Sequence, residues 1–287
     1  MKRIVFFVIT LMTCSQNLFA WSALGHAIIA KIAEDHLSAE AKAGVKECLG
    51  EFSIVSVASD ADIYRGRWTF DIGFMPTNPK EKMHPKHVDE LNPDLPLNIT
   101  FYSHTYKVDE NCRPYHTNNH DGYYRGNTVF DIDNLAKELK DWKNLTQERR
   151  MIVLSLIVHL VGDIHCPDHI AYEDDNTIGQ FEITFKKKKM KRHEMWDSDL
   201  LASIIPWSYS DAAVLIDTAD ESYISDVTKG DVYEWGYDSA LMSKIAHEVR
   251  AGANVPRSYA ADMREMAFAQ LRNGGYRLAA LLNQIFE

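Results

Sequence analysis

Residues 146–164 constrain the fold most. Ile152, Val153, Leu154, Leu156, Ile157, Val158, Leu160 and Val161 put apolar side chains on every side of one helix, with Thr146 placed to cap its start. A helix apolar all round lies at the centre of a fold, so other helices must enclose it. Two residues break its apolar character. His159 and Asp163 stand four apart, and therefore on one face. Burying both is costly unless they pair or hold a metal. Taken alone, a pair at this spacing is more often a structural hydrogen bond than a metal site.

The neighbouring sequence favours metal. His165 and His169 follow within six residues of Asp163, around Pro167. A second pair at the same spacing, His193 and Asp197, lies less than thirty residues further on. Imidazole and carboxylate donors together suit zinc. Trp21, His26, Asp62 and His104 lie upstream.

The rest of the chain reads as helices too. Ile28, Ile29, Ile32 and Ala33 recur at helical spacing over 24–37. Ser38 caps a second helix that ends at Gly50. Short or amphipathic helices are predicted over 55–65, 127–142, 194–204, 211–217, 238–250 and 257–285. Residues 70–125 are rich in Pro, Asn, Asp and His and read as a long irregular stretch. Phe181, Ile183 and Phe185 alternate before a basic run, which predicts a small hairpin over 180–192. The expected fold class is all-α: one mainly helical domain over 21–287, with a small β-hairpin and long loops.

Residues 1–20 stand apart. Lys2 and Arg3 precede an apolar run from Ile4 to Met12, and small or polar residues lead to Ala20. That is the pattern of a secretion signal cleaved after Ala20, so an exported protein is expected, periplasmic or secreted. A retained anchor or a lipid on Cys14 are the alternatives. No later segment is apolar enough to span a bilayer, so no stable membrane insertion is expected, and nothing calls for an obligate protein partner. Lys2 and Arg3 are the only charges in 1–20, so removing both takes the formal charge from −10 to −12. Such an acidic chain repels nucleic acid and anionic lipid unless bound cations supply positive charge. Cys48, Cys112 and Cys166 remain, an odd count that allows one disulfide and one free thiol in an exported protein. If Trp21 becomes residue one, its free amine and carbonyl can chelate a cation, with His26 near enough to join.

The ordered set resembles a known family. Trp21-Ser-Ala-Leu-Gly-His26 resembles the mature start of the three-zinc, single-strand-specific type I nucleases of plants, fungi and bacteria, which are relatives of the zinc phospholipases C. Ala58-Ser-Asp-Ala-Asp62-Ile-Tyr-Arg65 is similar to their Ala-Ser-Trp-Ala-Asp-x-x-Arg. Ser103-His104-Thr-Tyr106 resembles their Trp-His-Tyr/Phe segment. His159-Leu-Val-Gly-Asp163-Ile-His-Cys-Pro-Asp-His169 resembles their His-x-x-Gly-Asp-x-His-Gln-Pro-Leu-His, and Arg192-His193-Glu-Met-Trp196-Asp197 their Leu-His-x-x-Trp-Asp. The match runs from Trp21 to about Leu201.

The resemblance implies three zinc ions and a role for each ligand. Asp62, His104, His159 and Asp163 hold one ion. Trp21 and His26 hold a second, with Asp163 bridging. His169, His193 and Asp197 hold a third, more open ion. Asp62, Arg65 and Asp163 are the implied catalytic residues, with Arg65 orienting Asp62 or stabilising charge on phosphate. The implied activity is hydrolysis of single-stranded DNA and RNA to 5′-phosphate products by metal-activated water, with 3′-nucleotidase activity beside it.

The departures fall where substrate should sit. Asp60 replaces the aromatic of Ala-Ser-Trp-Ala-Asp. Thr105, Tyr106 and Lys107 follow His104, Cys166-Pro167-Asp168 replaces Gln-Pro-Leu, and Gly179-Gln180 stands at the family's Gly-Gly-Asn loop. Tyr106, Lys107, Gln180 and Lys191 are the candidate substrate contacts, and the basic run Lys186 to Arg192 flanks them. Two other functions stay open: a phospholipase C-like phosphodiesterase on lipid or small esters, and a zinc-binding protein with a degenerate pocket. The resembling phospholipases carry Glu where this chain has Asp197, which favours the nuclease.

Overall fold

The computed structural model describes residues 21–63, 69–71, 100–114, 126–172 and 179–287. Residues 1–20, read above as a secretion signal, and Arg65 lie outside the described residues. The described chain is mainly helical, as its periodicity predicts.

The N-terminal helices are α1 (Ala23–Asp35), α2 (Ala39–Leu49), α3 (Ile54–Val57) and α4 (Asp60–Ile63). The Ser38 hydroxyl accepts from the Ala41 amide and so caps α2, while Gly50 ends it with a φ of +66°. Two short strands, β1 (Thr69–Asp71) and β2 (Thr100–Tyr102), pair in parallel. β3 (Tyr106–Val108) follows, then α5 (Thr128–Leu139). The apolar segment forms α6 (Gln147–Ile164), capped by the Thr146 hydroxyl. Every residue of α6 from Ile152 to Ile164 is buried. It lies against α1 to α5 and the C-terminal helix, so its all-round apolarity has a physical counterpart on each side.

Beyond α6 come β4 (Ile170–Tyr172), paired in parallel with β3, and the hairpin β5 (Glu182–Phe185) and β6 (Lys188–Lys191). The hairpin turns at Lys186 and Lys187, with φ of +50° and +67°. Two positive φ values match the right-handed strand twist but are strained for residues with a Cβ. α7 (Arg192–Glu194) passes into a π-helical turn over Met195–Leu200 and then α8 (Leu201–Ile204). The remaining elements are α9 (Tyr209–Ile216), α10 (Glu221–Val227), α11 (Val232–Ser243), β7 (Asn254–Val255), α12 (Tyr259–Asp262) and α13 (Arg264–Phe286). α13 lies along α1, where Gly275 lets the helices approach: a Cβ there would meet Ile32 Cγ2 at 2.5 Å.

Several expectations need correction. The helix predicted over 238–250 starts earlier, at Val232, because Asp231 and Glu234 form a reciprocal capping box; it gives way to a 3₁₀ turn over Lys244–Glu248. α10 has no counterpart in the sequence reading. The stretch read as irregular contains β2 and β3, and β7 adds a third strand to the hairpin. The disulfide that the cysteine count allows is absent among the described residues: Cys48, Cys112 and Cys166 are free, buried thiols. Among those residues no helix is long and apolar enough to cross a membrane.

Candidate metal centre

α6 ends at the site it builds. Cys166 and Pro167 stop the helix one turn past Asp163, and a 3₁₀ turn over Pro167–His169 swings His169 back toward it. Pairing of β3 with β4 brings His104 alongside, and His169 Nδ1 lies 2.9 Å from the His104 carbonyl. On the other side, α1 delivers His26. The bare backbone of Gly162 lets that ring in: a Cβ there would stand 2.5 Å from His26 Nδ1. The His26 and His159 rings stack with centroids 4.2 Å apart. α7, directly after the hairpin, supplies His193, and the π-turn supplies Asp197.

The donors converge from both sides of α6. Asp163 Oδ1 faces His26 Nε2 at 3.4 Å, and its Oδ2 faces His159 Nε2 at 3.5 Å. His159 Nε2 is 3.6 Å from Asp62 Oδ2. His169 Nε2 is 3.7 Å from Asp197 Oδ1, and His193 Nε2 is 3.1 Å from Asp197 Oδ2. All these side chains are buried. Trp21 is buried too, and the Ser22 amide donates to the Asp197 carbonyl at 2.7 Å, tying the start of the described chain to the third cluster.

Most of these His–Asp contacts are not hydrogen bonds. Separations of 3.4–3.8 Å are too long for hydrogen bonds. Burial, reinforced by neighbouring histidines, holds the His26 and His169 rings well below the usual histidine range, and burial lowers His193 to about 4. The rings are therefore neutral, the form that offers a lone pair to a metal. Burial first, and the charge of Asp168 next, push the Asp197 carboxyl well above its usual range. A cation among these donors would reverse that shift.

The residues fit metal on a second ground. No hydrogen bond reaches His26 Nε2 or His169 Nε2, although both are buried. Orphaned polar atoms at zero exposure are rare unless something else satisfies them. Two donors on one tetrahedral zinc stand about 3.3 Å apart, close to the separations seen here. Two groups could each hold an ion: His26, His159 and Asp163, and Cys166, His169 and Asp197. The outer nitrogen of His159 is fixed by the Ala58 carbonyl at 2.9 Å, the kind of buttress that orients a metal ligand.

With this geometry in place, the comparison with known proteins is decisive. The pattern of the S1/P1 nuclease family matches residues 21–287. The chain belongs to the S1/P1 nuclease family. Among the family's members it is 23% identical to Endonuclease 2 of Arabidopsis thaliana, over 99% of this chain and 97% of that protein. It is 25% identical to Nuclease P1 of Penicillium citrinum, over 92% of this chain and 97% of that protein. Family membership makes it a hydrolase of phosphodiester bonds.

The residues expected to meet substrate fare differently from the ligands of this nuclease-family site. Tyr106 does not face a site: it is fully buried, its ring lies against Gly236, and its hydroxyl points to the Cys112 carbonyl. Lys107 Nζ donates to the Gly126 carbonyl at 3.3 Å. Lys191 Nζ donates to the Gln180 carbonyl at 2.7 Å, so those two candidates lie together beside His193. The basic run is partly neutralised: Lys188 pairs with Glu194 at 3.2 Å, Lys189 with Glu182 at 2.9 Å, and Lys186 donates to the Ser203 hydroxyl.

The sequence reading missed a buried network behind the third cluster. Asp168 and Arg192, each one residue from a ligand histidine, form a bidentate pair with no exposure: Arg192 Nη2 donates to Asp168 Oδ1 at 2.6 Å and Nε to Oδ2 at 3.2 Å. His247 joins through Arg192 at 3.1 Å and the Pro167 carbonyl at 2.9 Å. The available signal was the appearance of Asp and Arg at two positions where the resembling motifs carry Leu.

Gly162→Ala tests the close approach at α6. The added methyl must displace His26, at a cost of about 1–3 kcal/mol for an overpacked core. We expect a lower unfolding midpoint and loss of metal from the His26 side only, read by metal analysis. Unchanged metal content and stability would contradict the packing described.

Proposed function

We propose that residues 21–287 form one exported, three-zinc nuclease unit that cleaves single-stranded DNA and RNA to 5′-phosphate products, and removes 3′-phosphates by the same chemistry. The observation that carries this reading is the placement of Asp163, whose two oxygens face His26 and His159 from opposite sides at 3.4 and 3.5 Å. One carboxylate between two histidine sets suits a bridging ligand for two ions. Asp62, His104 and His159 complete one set, and His26 with the amine and carbonyl of Trp21 the other. His169, His193 and Asp197 form the third.

When bound, zinc supplies Lewis acidity toward phosphoryl oxygens and makes a nearby water acidic enough to attack at neutral pH. The chain does the rest. Its buried carboxylates would hold several positive charges close together, which would draw in a polyanion that the chain's net negative charge repels. Arg65 is placed in sequence to steady Asp62 or the phosphate. Cleavage after Ala20 would free the Trp21 amine for that role, and the family match begins at residue 21.

The test uses zinc-loaded protein beginning at Trp21 and one oligonucleotide, offered single-stranded and as a duplex. Chelator-sensitive release of 5′-phosphorylated products, with the single strand much the better substrate, is the expected result. Equal cleavage of both forms would remove the strand preference. No cleavage of either, with zinc verified as bound, would turn the proposal toward other phosphodiesters.

A further inference from the structure

We propose that Cys166 is a fourth protein ligand of the ion held by His169, His193 and Asp197, an inference that rests on the zinc reading above. The thiol is fully buried, and its Sγ lies 3.6 Å from Asp197 Oδ1. Cys166, His169 and Asp197 each offer a donor atom within 4.8 Å of the others. The turn that ends α6 fixes the thiol's place: the Cys166 amide donates to the Asp163 carbonyl at 2.9 Å, and the His169 amide donates back to the Cys166 carbonyl at 3.0 Å.

The spacing suits coordination. A tetrahedral zinc binds sulfur at about 2.3 Å and carboxylate oxygen at about 2.0 Å, which separates the two donors by about 3.5 Å. An independent feature points into the same space. His169 Nε2 is buried, and no hydrogen bond reaches it. A thiol in that position completes a Cys, His, His, Asp set. The resembling motif carries Gln here, so in this chain sulfur stands where that motif has an amide.

Coordination replaces the S–H bond with a metal–sulfur bond, and the proton leaves to solvent. The consequence is a closed shell. With three protein ligands an ion keeps one position for a substrate oxygen; with four, that oxygen must add as a fifth ligand or displace one. The third site of this chain therefore holds its ion more firmly and releases space to substrate more reluctantly than a three-ligand site. Thiolate is also a soft donor, so the site accepts cobalt or cadmium readily.

The experiment loads the protein beginning at Trp21 with cobalt(II), alone and as Cys166→Gln, and records metal content with the near-ultraviolet spectrum. A thiolate-to-cobalt charge-transfer band in the parent protein, lost in Cys166→Gln at equal saturating metal content, is the expected result. Competition with a chelator should then show weaker retention of the third ion in the variant, by at least about 10-fold. Full metal content with no such band in the parent overturns the sulfur ligand and leaves the three-ion reading standing. A band that persists in Cys166→Gln also overturns it, since Cys48 or Cys112 would then be the source. Failure of the parent to bind metal at all overturns both. The parent spectrum decides the matter even if the variant folds poorly.

Discussion

Replacing Asp163 with Asn lowers phosphodiester cleavage by at least about 10³-fold, because it removes about 4 kcal/mol or more of metal-derived stabilisation of transition-state charge. Asp163 faces both the His26 and the His159 sets, through different oxygens. Asn offers one neutral oxygen and turns an NH₂ group toward the other set. The fold should survive. Asp163 sits in a helix whose other buried residues are mostly apolar, and an uncompensated charge there does not favour folding. The metal-free Asp163→Asn variant should therefore unfold at a midpoint no lower than the metal-free parent. Activity, circular dichroism and metal content measured together check this. Retained activity above a tenth of the parent's would exclude a bridging role.

Replacing Arg192 with Leu destabilises the protein by about 3–5 kcal/mol, since the change strands the fully buried charge of Asp168. The loss falls next to His169 and His193, so metal should leave the third cluster first. Asp168→Leu with Arg192→Leu recovers at least half of that stability, because an apolar pair of similar volume leaves neither charge buried. Thermal or denaturant unfolding of the single and double variants measures the coupling. A double variant as unstable as Arg192→Leu would show that the bonds of Arg192 to His247 and the Val249 carbonyl, rather than the ion pair, carry the effect.

The core and the ligands were legible in the sequence for a common reason. A helix apolar on all sides has one solution, and a His–Asp pair inside it must be satisfied by something. The i, i+4 spacing in His159–Asp163 and His193–Asp197 carries directly into the structure, although the second pair straddles a π-helical turn. What escaped depended on contacts across the chain. The Asp168–Arg192 bond spans twenty-four residues, and nothing local distinguishes those charges from substrate-facing ones. Tyr106 was assigned to substrate by its position near His104, but a strand alternates its faces, and pairing with β4 turns that ring inward. Counting cysteines suggested a disulfide. The fold instead distributes the thiols to separate places: the end of α2, the loop after β3 and the metal cluster. α10 is short and none of its residues is buried, so it left no periodic signature to read.

The central claim is that three metal ions share this constellation and that the chain's own mature terminus holds one of them. Zinc per chain tests it most directly, measured on protein beginning at Trp21 and on the same protein with one methionine retained before it. The account predicts three zinc ions for the first and two for the second, with activity reduced to match. Equal zinc content in both, at three or at any lower number, would contradict the terminal ligand; one zinc or none in the protein beginning at Trp21 would contradict the three-ion centre itself.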